Sequence, residues 1–174
     1  MKWIGISGSW RKINPEIDNL IRQTVREIIL RGNGIVSGGA LGVDYVALDQ
    51  ALKINPQASR IKIFIPAKLE IFQSHYLKRA KEGVITSQQA ENLISQLAAL
   101  KKINPTALVE DQNNLVLNQL TYYQRNSEII EAADELIAFH VVSELSGGAG
   151  TLDTINKAKV KGIPVKIYHF NLKA

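Results

Sequence analysis

Ser143-Glu144-Leu145-Ser146-Gly147-Gly148-Ala149-Gly150-Thr151-Leu152-Asp153 is the stretch on which the reading of the fold turns. An apolar strand candidate, Glu135 to Val142, runs into it. A helix candidate, Thr151 to Lys161, leaves it with Leu152, Ile155 and Ala158 at helical spacing and with Lys159, Lys161 and Gly162 closing it. Strand, glycine turn and helix N-terminus together make an anion-binding device. Glycines let the backbone approach a phosphate, and the first-turn N–H groups have no partner inside the helix. The same turn also serves as a plain strand-to-helix connection, so the rest of the chain has to decide.

Working outward, two more strands run into glycine-rich turns. Lys2 to Ile6 reads as a short buried strand ending in Ser7-Gly8-Ser9, and Ile35-Val36-Ser37 runs into Gly38-Gly39-Ala40-Leu41-Gly42. Between them lies a helix with a clear start: Asn14 as N-cap, Pro15 at the first position, Glu16 and Asp18 in the first turn. Ile17, Leu20, Ile21, Val25, Ile28 and Ile29 form its apolar stripe. A second helix buries Val43, Val46, Ala47 and Ala51, a third strand is Arg60 to Ile65, and a last one is Val165 to Phe170. Strands alternating with helices predict a parallel sheet with helices on both faces. The fold class is α/β: a Rossmann-like, doubly wound sheet of about five parallel strands in the order 3-2-1-4-5.

Residues 67–112 interrupt the alternation and are read as an inserted helical segment, packed on the domain or on a second subunit. Thr86-Ser87-Gln88-Gln89 resembles a capping box, opening a helix with Ala90, Leu93, Ile94, Leu97 and Ala98 on one face. A further helix covers about Asn114 to Ala132. With strand order 3-2-1-4-5, all three glycine turns meet at the crevice between strands one and four, where open α/β sheets bind ligands.

Composition agrees. A chain of 174 residues fits one domain, 1–174, with a sizeable core. The absence of cysteine excludes disulfides and thiolate metal sites. His75, His140 and His169 show no metal-ligand spacing, so no metal is expected. The start of the chain is too short in apolar residues for a signal segment, and no run spans a bilayer; a cytoplasmic protein without a membrane partner is the expectation. Net charge of +5 favours anionic partners, but the cations are scattered rather than striped.

These turns resemble those of a known superfamily. Ser37-Gly-Gly-Ala-Leu-Gly-Val-Asp44, with Ala51-Leu52 beyond, resembles the SGxAxGxD…AL turn of the DNA-processing protein A family. Arg125-Asn126-Ser-Glu-Ile-Ile130 resembles the RNxxI segment shared with small YspA-type proteins. Gly147-Gly148-Ala-Gly150-Thr151 resembles the GGxGT motif of lonely-guy phosphoribohydrolases and lysine-decarboxylase-like proteins. Together they are the marks of the SLOG superfamily of Rossmann-like nucleotide-binding proteins, among which homodimers are common. Two departures matter. Lonely-guy enzymes have GGxGTxxE, but Thr154 stands at the glutamate position here, with Asp153 one residue earlier and turned by about 100° on a helix. DNA-processing protein A has an arginine where Leu41 stands and a histidine where Leu48 stands.

From the residues, Gly147, Gly148, Gly150 and Thr151 are candidates to hold a phosphate. Arg125 would clamp it in a forked geometry, unless it pairs on the surface with Glu128 or Glu131. Gly8, Ser9, Ser37, Gly38, Gly39 and Gly42 would face sugar or base. Asp44 either holds its own turn or touches ligand, and Asn126 serves turn closure or base recognition. Trp10 either stacks on a base or covers a helix. The expected function is binding of a nucleotide or nucleotide derivative with no cofactor required. Two alternatives stay open: hydrolysis of a nucleoside 5′-monophosphate, with Glu144 or Asp153 as the acid, and binding of single-stranded DNA.

Overall fold

The computed structural model describes residues 1–173. Six parallel strands form one sheet in the order β4-β3-β2-β1-β5-β6. They are β1 Trp3–Gly8, β2 Gly34–Gly38, β3 Ile61–Ile65, β4 Leu108–Glu110, β5 Glu135–Val142 and β6 Val165–Asn171. The helices are α1 Pro15–Leu30, α2 Val43–Ile54, α3 Leu69–Lys81, α4 Ser87–Ile103, α5 Gln119–Ala132 and α6 Ala149–Lys161. From β1 the chain winds outward through β2, β3 and β4, then returns across the sheet to β5 and β6. Ile4 is accordingly in register with Ile35 on one side and Glu135 on the other. Right-handed crossovers in opposite directions put α1 and α2 on one face and α5 and α6 on the other.

The five strands expected from the sequence are β1, β2, β3, β5 and β6, and their order is as read. The count is corrected to six. β4 lies inside the segment read as helical and pairs Leu108 with Ile63 at the sheet edge. At three residues it is too short to show any alternation, and its anchorage is long-range: Glu110 accepts from the Leu69 N–H at 2.8 Å and from Lys101 Nζ at 3.0 Å. α5 also starts later than expected. Asp111 Oδ1 accepts from the Asn113 and Asn114 N–H groups and holds them in a turn, and Asn118 opens the helix through a capping box with Thr121.

Elsewhere the local signals act as read. Asn14 Oδ1 accepts from the Ile17 N–H at 2.9 Å, and the Thr86–Gln89 box is present. The α4 stripe is Ala90, Leu93, Leu97 and Leu100, with Ala98 exposed, and it is buried within this chain. Gln96 Nε2 donates to the Tyr45 carbonyl of α2 at 3.0 Å, while α3 meets α5 where His75 lies 6.4 Å from Tyr122. The insertion therefore overhangs the carboxyl ends of the strands. Among the described residues no helix is long and apolar enough to cross a membrane.

Candidate functional site

At the carboxyl end of the sheet, where β1 and β5 part, lies a cleft of about 350 Å³. Five parts of the chain wall it: the turn after β1, the start of α2, the helix α3, the helix α5 and the first turn of α6.

The first turn of α6 is built by Gly148, whose φ of +76° is left-handed and which sits against the His140 ring where a Cβ would clash. His140 Nε2 lies 3.3 Å from the Gly147 carbonyl, so that nitrogen carries the hydrogen. Its Nδ1 lies 2.9 Å from His169 Nδ1. The Gly148 N–H donates to Ser146 Oγ at 3.1 Å, and the first helical bond runs from the Leu152 N–H to the Gly148 carbonyl. The N–H groups of Ala149, Gly150 and Thr151 thus have no helical partner, and all three residues line the cleft.

Opposite stands Arg125, 8% exposed. Its Nε donates to Asn126 Oδ1 at 3.2 Å, and its Nη1 points toward the Phe64 carbonyl at 3.5 Å and Asp44 Oδ2 at 3.9 Å. Nη2 has no hydrogen-bond partner among the described residues. Neither Glu128 nor Glu131 pairs with this guanidinium. Asn126 Nδ2 donates to Asp153 Oδ2 at 3.1 Å, and Asp153 also accepts from Lys157 Nζ at 2.7 Å, so α5 and α6 are tied together behind the cleft.

Among the described residues that line the cleft, Asp44 is the single carboxylate. Its Oδ2 accepts from the Ala40 N–H at 3.3 Å and its Oδ1 lies 3.1 Å from Ser37 Oγ, so it holds the turn after β2. Burial pushes its carboxyl above the ordinary range, against the pull of Arg125 and of these hydrogen bonds.

Of the residues singled out from the sequence, Gly8, Ser9, Asp44, Arg125, Asn126, Gly148, Gly150 and Thr151 come together on the cleft wall. The rest stand behind it or outside it. Ser37 is fully buried beneath Asp44; Gly38 lies under the Arg125 guanidinium; Gly39 packs on Ile65 and Leu97; Gly42 abuts the Ser9 backbone. Gly147 faces away, with open space around it. Trp10 lines the cleft with Arg11 stacked over its ring, 4.2 Å from the centroid. Thr154, at the glutamate position of the lonely-guy motif, is buried and donates to the Gly150 carbonyl at 3.1 Å.

The sequence did not point to the opposite wall. Tyr76, His75 and Arg79 reach it from α3, and Tyr122 and Tyr123 from α5. Burial, reinforced by Tyr122, holds the Tyr76 hydroxyl well above its ordinary value; burial likewise raises Tyr122 against the pull of Arg125. Both stay neutral donors at physiological pH. Burial and the Arg79 charge lower the His75 imidazole. One signal was available: Tyr122 lies three residues before Arg125 and so shares its helix face, with the guanidinium 5.6 Å from the ring centroid.

The model of the family described as DNA recombination-mediator protein A matches residues 1–173. No curated protein matches the chain. Among solved structures, DNA processing protein A of Helicobacter pylori, studied for its single-stranded DNA binding mode, is similar with a TM-score of 0.65 and 20% identity, over 95% of this chain and 64% of that one. DNA processing protein A of Streptococcus pneumoniae gives a TM-score of 0.61 and 16% identity, over 96% of this chain and 50% of that one. This chain thus spans less than two thirds of either. A molybdenum cofactor binding protein of Rippkaea orientalis gives a TM-score of 0.56 and 18% identity, over 97% and 76%. At these identities the likeness to the three structures is one of fold.

Proposed function

The chain belongs to the DNA recombination-mediator protein A family, and from that premise we propose that it binds single-stranded DNA by seating one nucleotide unit in the cleft. The phosphate lies between Arg125 and the first turn of α6, and the base lies against Trp10 and the tyrosines. One observation carries this reading: a buried guanidinium with an unused Nη2 faces a helix N-terminus with unused N–H groups across a cleft of nucleotide size. Both are donors that an anionic oxygen satisfies. The aromatic wall supports the base assignment, since stacking on a protein ring contributes roughly 1–3 kcal/mol per base without regard to sequence.

Binding is favoured over hydrolysis for a chemical reason. Protonating a leaving base needs an acid free to reach it. Asp44 is committed to its own turn, Asp153 to Asn126 and Lys157, and Thr154 brings no acid. Glu144 is exposed and lies off the cleft wall.

The test is a titration of fluorescent oligothymidylate, with AMP as competitor and proton NMR on the AMP. The parent is expected to bind the oligonucleotide, AMP to compete and stay intact, and Arg125→Ala to weaken both by about tenfold or more. Equal affinity of Arg125→Ala and parent would sink the site, and release of adenine from AMP would restore the hydrolase reading.

A further inference from the structure

The hydrogen atoms around Asp44 are one short of what its contacts invite. Ser37 Oγ lies 2.9 Å from the Ile6 carbonyl and 3.1 Å from Asp44 Oδ1, yet a hydroxyl has a single hydrogen to give. With Asp44 ionised, that hydrogen must choose between the two oxygens. With Asp44 protonated the choice disappears: the carboxyl donates to Ser37 Oγ and Ser37 donates to the Ile6 carbonyl. One proton therefore completes the chain with no heavy atom moving. Asp44 is 7% exposed, so water does little to keep it charged, and what does is Arg125 first, then the hydrogen bonds from Ser37 and the Ala40 N–H. The pair with Arg125 is loose. Nη1 and Oδ2 are 3.9 Å apart, beyond hydrogen-bond distance, and Nη2 has no partner among the described residues.

We propose that anion capture in this cleft is proton-linked: the ligand phosphate takes over the Arg125 guanidinium, and Asp44 takes up one proton from solvent as the ligand seats. The inference rests on the nucleotide-binding reading and adds a regulation to it. Charge balance is its physical core. With Asp44 ionised, the buried pair of the empty site, Arg125 and Asp44, is neutral; Arg79, which also lines the cleft, lies 3.5 Å from Glu82. The occupied site holds the guanidinium, a singly charged phosphodiester and a neutral carboxyl, and is neutral again. Without the proton, a phosphodiester and a buried carboxylate would share the buried Arg125 guanidinium at the low-dielectric end of the cleft, where like charges repel strongly.

Other groups around Asp44 do not mimic the effect. Tyr122 from α5 and Tyr76 from α3 are neutral throughout. Ser7 and Ser9 from the β1 side do not titrate, and α6 contributes no charged side chain to the cleft wall. His75 alone could also take up a proton, and the experiment separates it. The sign is fixed by the direction of the change. Because ligand binding raises the Asp44 pKa further, affinity climbs as pH falls through the bound-state value and levels off below the free-state value.

The probe is oligothymidylate, whose phosphodiesters and thymines do not titrate across about pH 5 to 8, titrated by calorimetry in buffers of different ionisation enthalpy. The parent is expected to take up as much as about one proton per site and to gain affinity by up to about tenfold per unit fall in pH. Asp44→Asn should show no buffer dependence and should bind more tightly than the parent at the alkaline end. A flat pH profile with equal enthalpies in all buffers overturns the linkage while leaving the nucleotide site standing. Uptake that persists in Asp44→Asn moves the proton to His75 and also overturns it. If the parent binds neither oligothymidylate nor AMP at any pH, the nucleotide reading itself falls, and the linkage with it. The parent's buffer dependence needs no variant, so a poorly folded Asp44→Asn would not protect the proposal.

Discussion

Gly38 has no side chain because the Arg125 guanidinium and Asp44 occupy the space where one would stand. A Cβ there would overlap Arg125 Nη1 and lie 2.5 Å from Asp44 Oδ2. This glycine makes room for the guanidinium proposed to hold the phosphate. Gly38→Ala is therefore expected to lose about tenfold or more in oligonucleotide affinity and about 1–3 kcal/mol of stability, read by titration and by thermal melting. Gly147 makes the contrast. Nothing lies within 4 Å of a Cβ built on it, so Gly147→Ala should leave stability within about 0.5 kcal/mol of the parent. A motif in the sequence does not distinguish these glycines, because each is defined by what another part of the chain brings near it. Ser37 and Gly39 belong with Gly38. Ser37 and Gly38 end β2 and Gly39 opens the turn after it, in a stretch legible as strand and turn, yet Ser37 and Gly39 face the interior and Gly38 faces the Arg125–Asp44 pair rather than open cleft.

At the level of elements, α1 and α2 are clasped by charge. Arg22 reaches Asp18 on its own helix at 2.7 Å and Asp49 on α2 at 2.5 Å, and Lys53 meets Asp49 at 2.9 Å. Burial alone would raise the Asp49 carboxyl, but Lys53 and Arg22 outweigh it and hold it below its ordinary value. A carboxylate depressed in the folded state contributes stability above its unfolded pKa of about 3.9, and that contribution is lost as pH falls through the lower folded value. The melting-temperature gap between parent and Asp49→Asn should be full at neutral pH and shrink below about pH 4. On the other face, Lys161 Nζ donates to the carbonyls of Ile130, Glu131 and Ala133, within 2.9 Å of each, and so closes the end of α5. Lys161→Met, which keeps the length and loses the donors, should destabilise by about 1 kcal/mol in denaturant unfolding. Starts such as Asn14 and Thr86 were legible because a cap is written within four residues of the helix it opens. β4 was not, because its three residues are a strand only by virtue of Ile63 beside them and Glu110 reaching α3.

Across the whole molecule, the winding reverses between β1 and β5, and this reversal opens the crevice. The three glycine turns meet there because strand order puts them there, and that order follows from βα alternation visible in the sequence. The far wall was hidden for a matching reason. α3 carries no motif, and Tyr76 and Arg79 become cleft residues only when the insertion folds back over the strand ends. This arrangement limits how many phosphates the protein can neutralise. Within or beside the cleft stand Arg125, Arg79 and Arg11, and Arg79 already lies 3.5 Å from Glu82. A single strand releases counterions with a slope of about −0.7 in log K against log salt for each phosphate neutralised. Three cations at most give an expected slope of about −1 to −2 for oligothymidylate, and a shallower one for AMP. Arg125→Ala should flatten that slope by about one phosphate's worth, in addition to lowering the affinity. A parent slope steeper than about −4 would require cations well beyond the cleft, and the strand would then be held across the scattered basic surface rather than in this crevice.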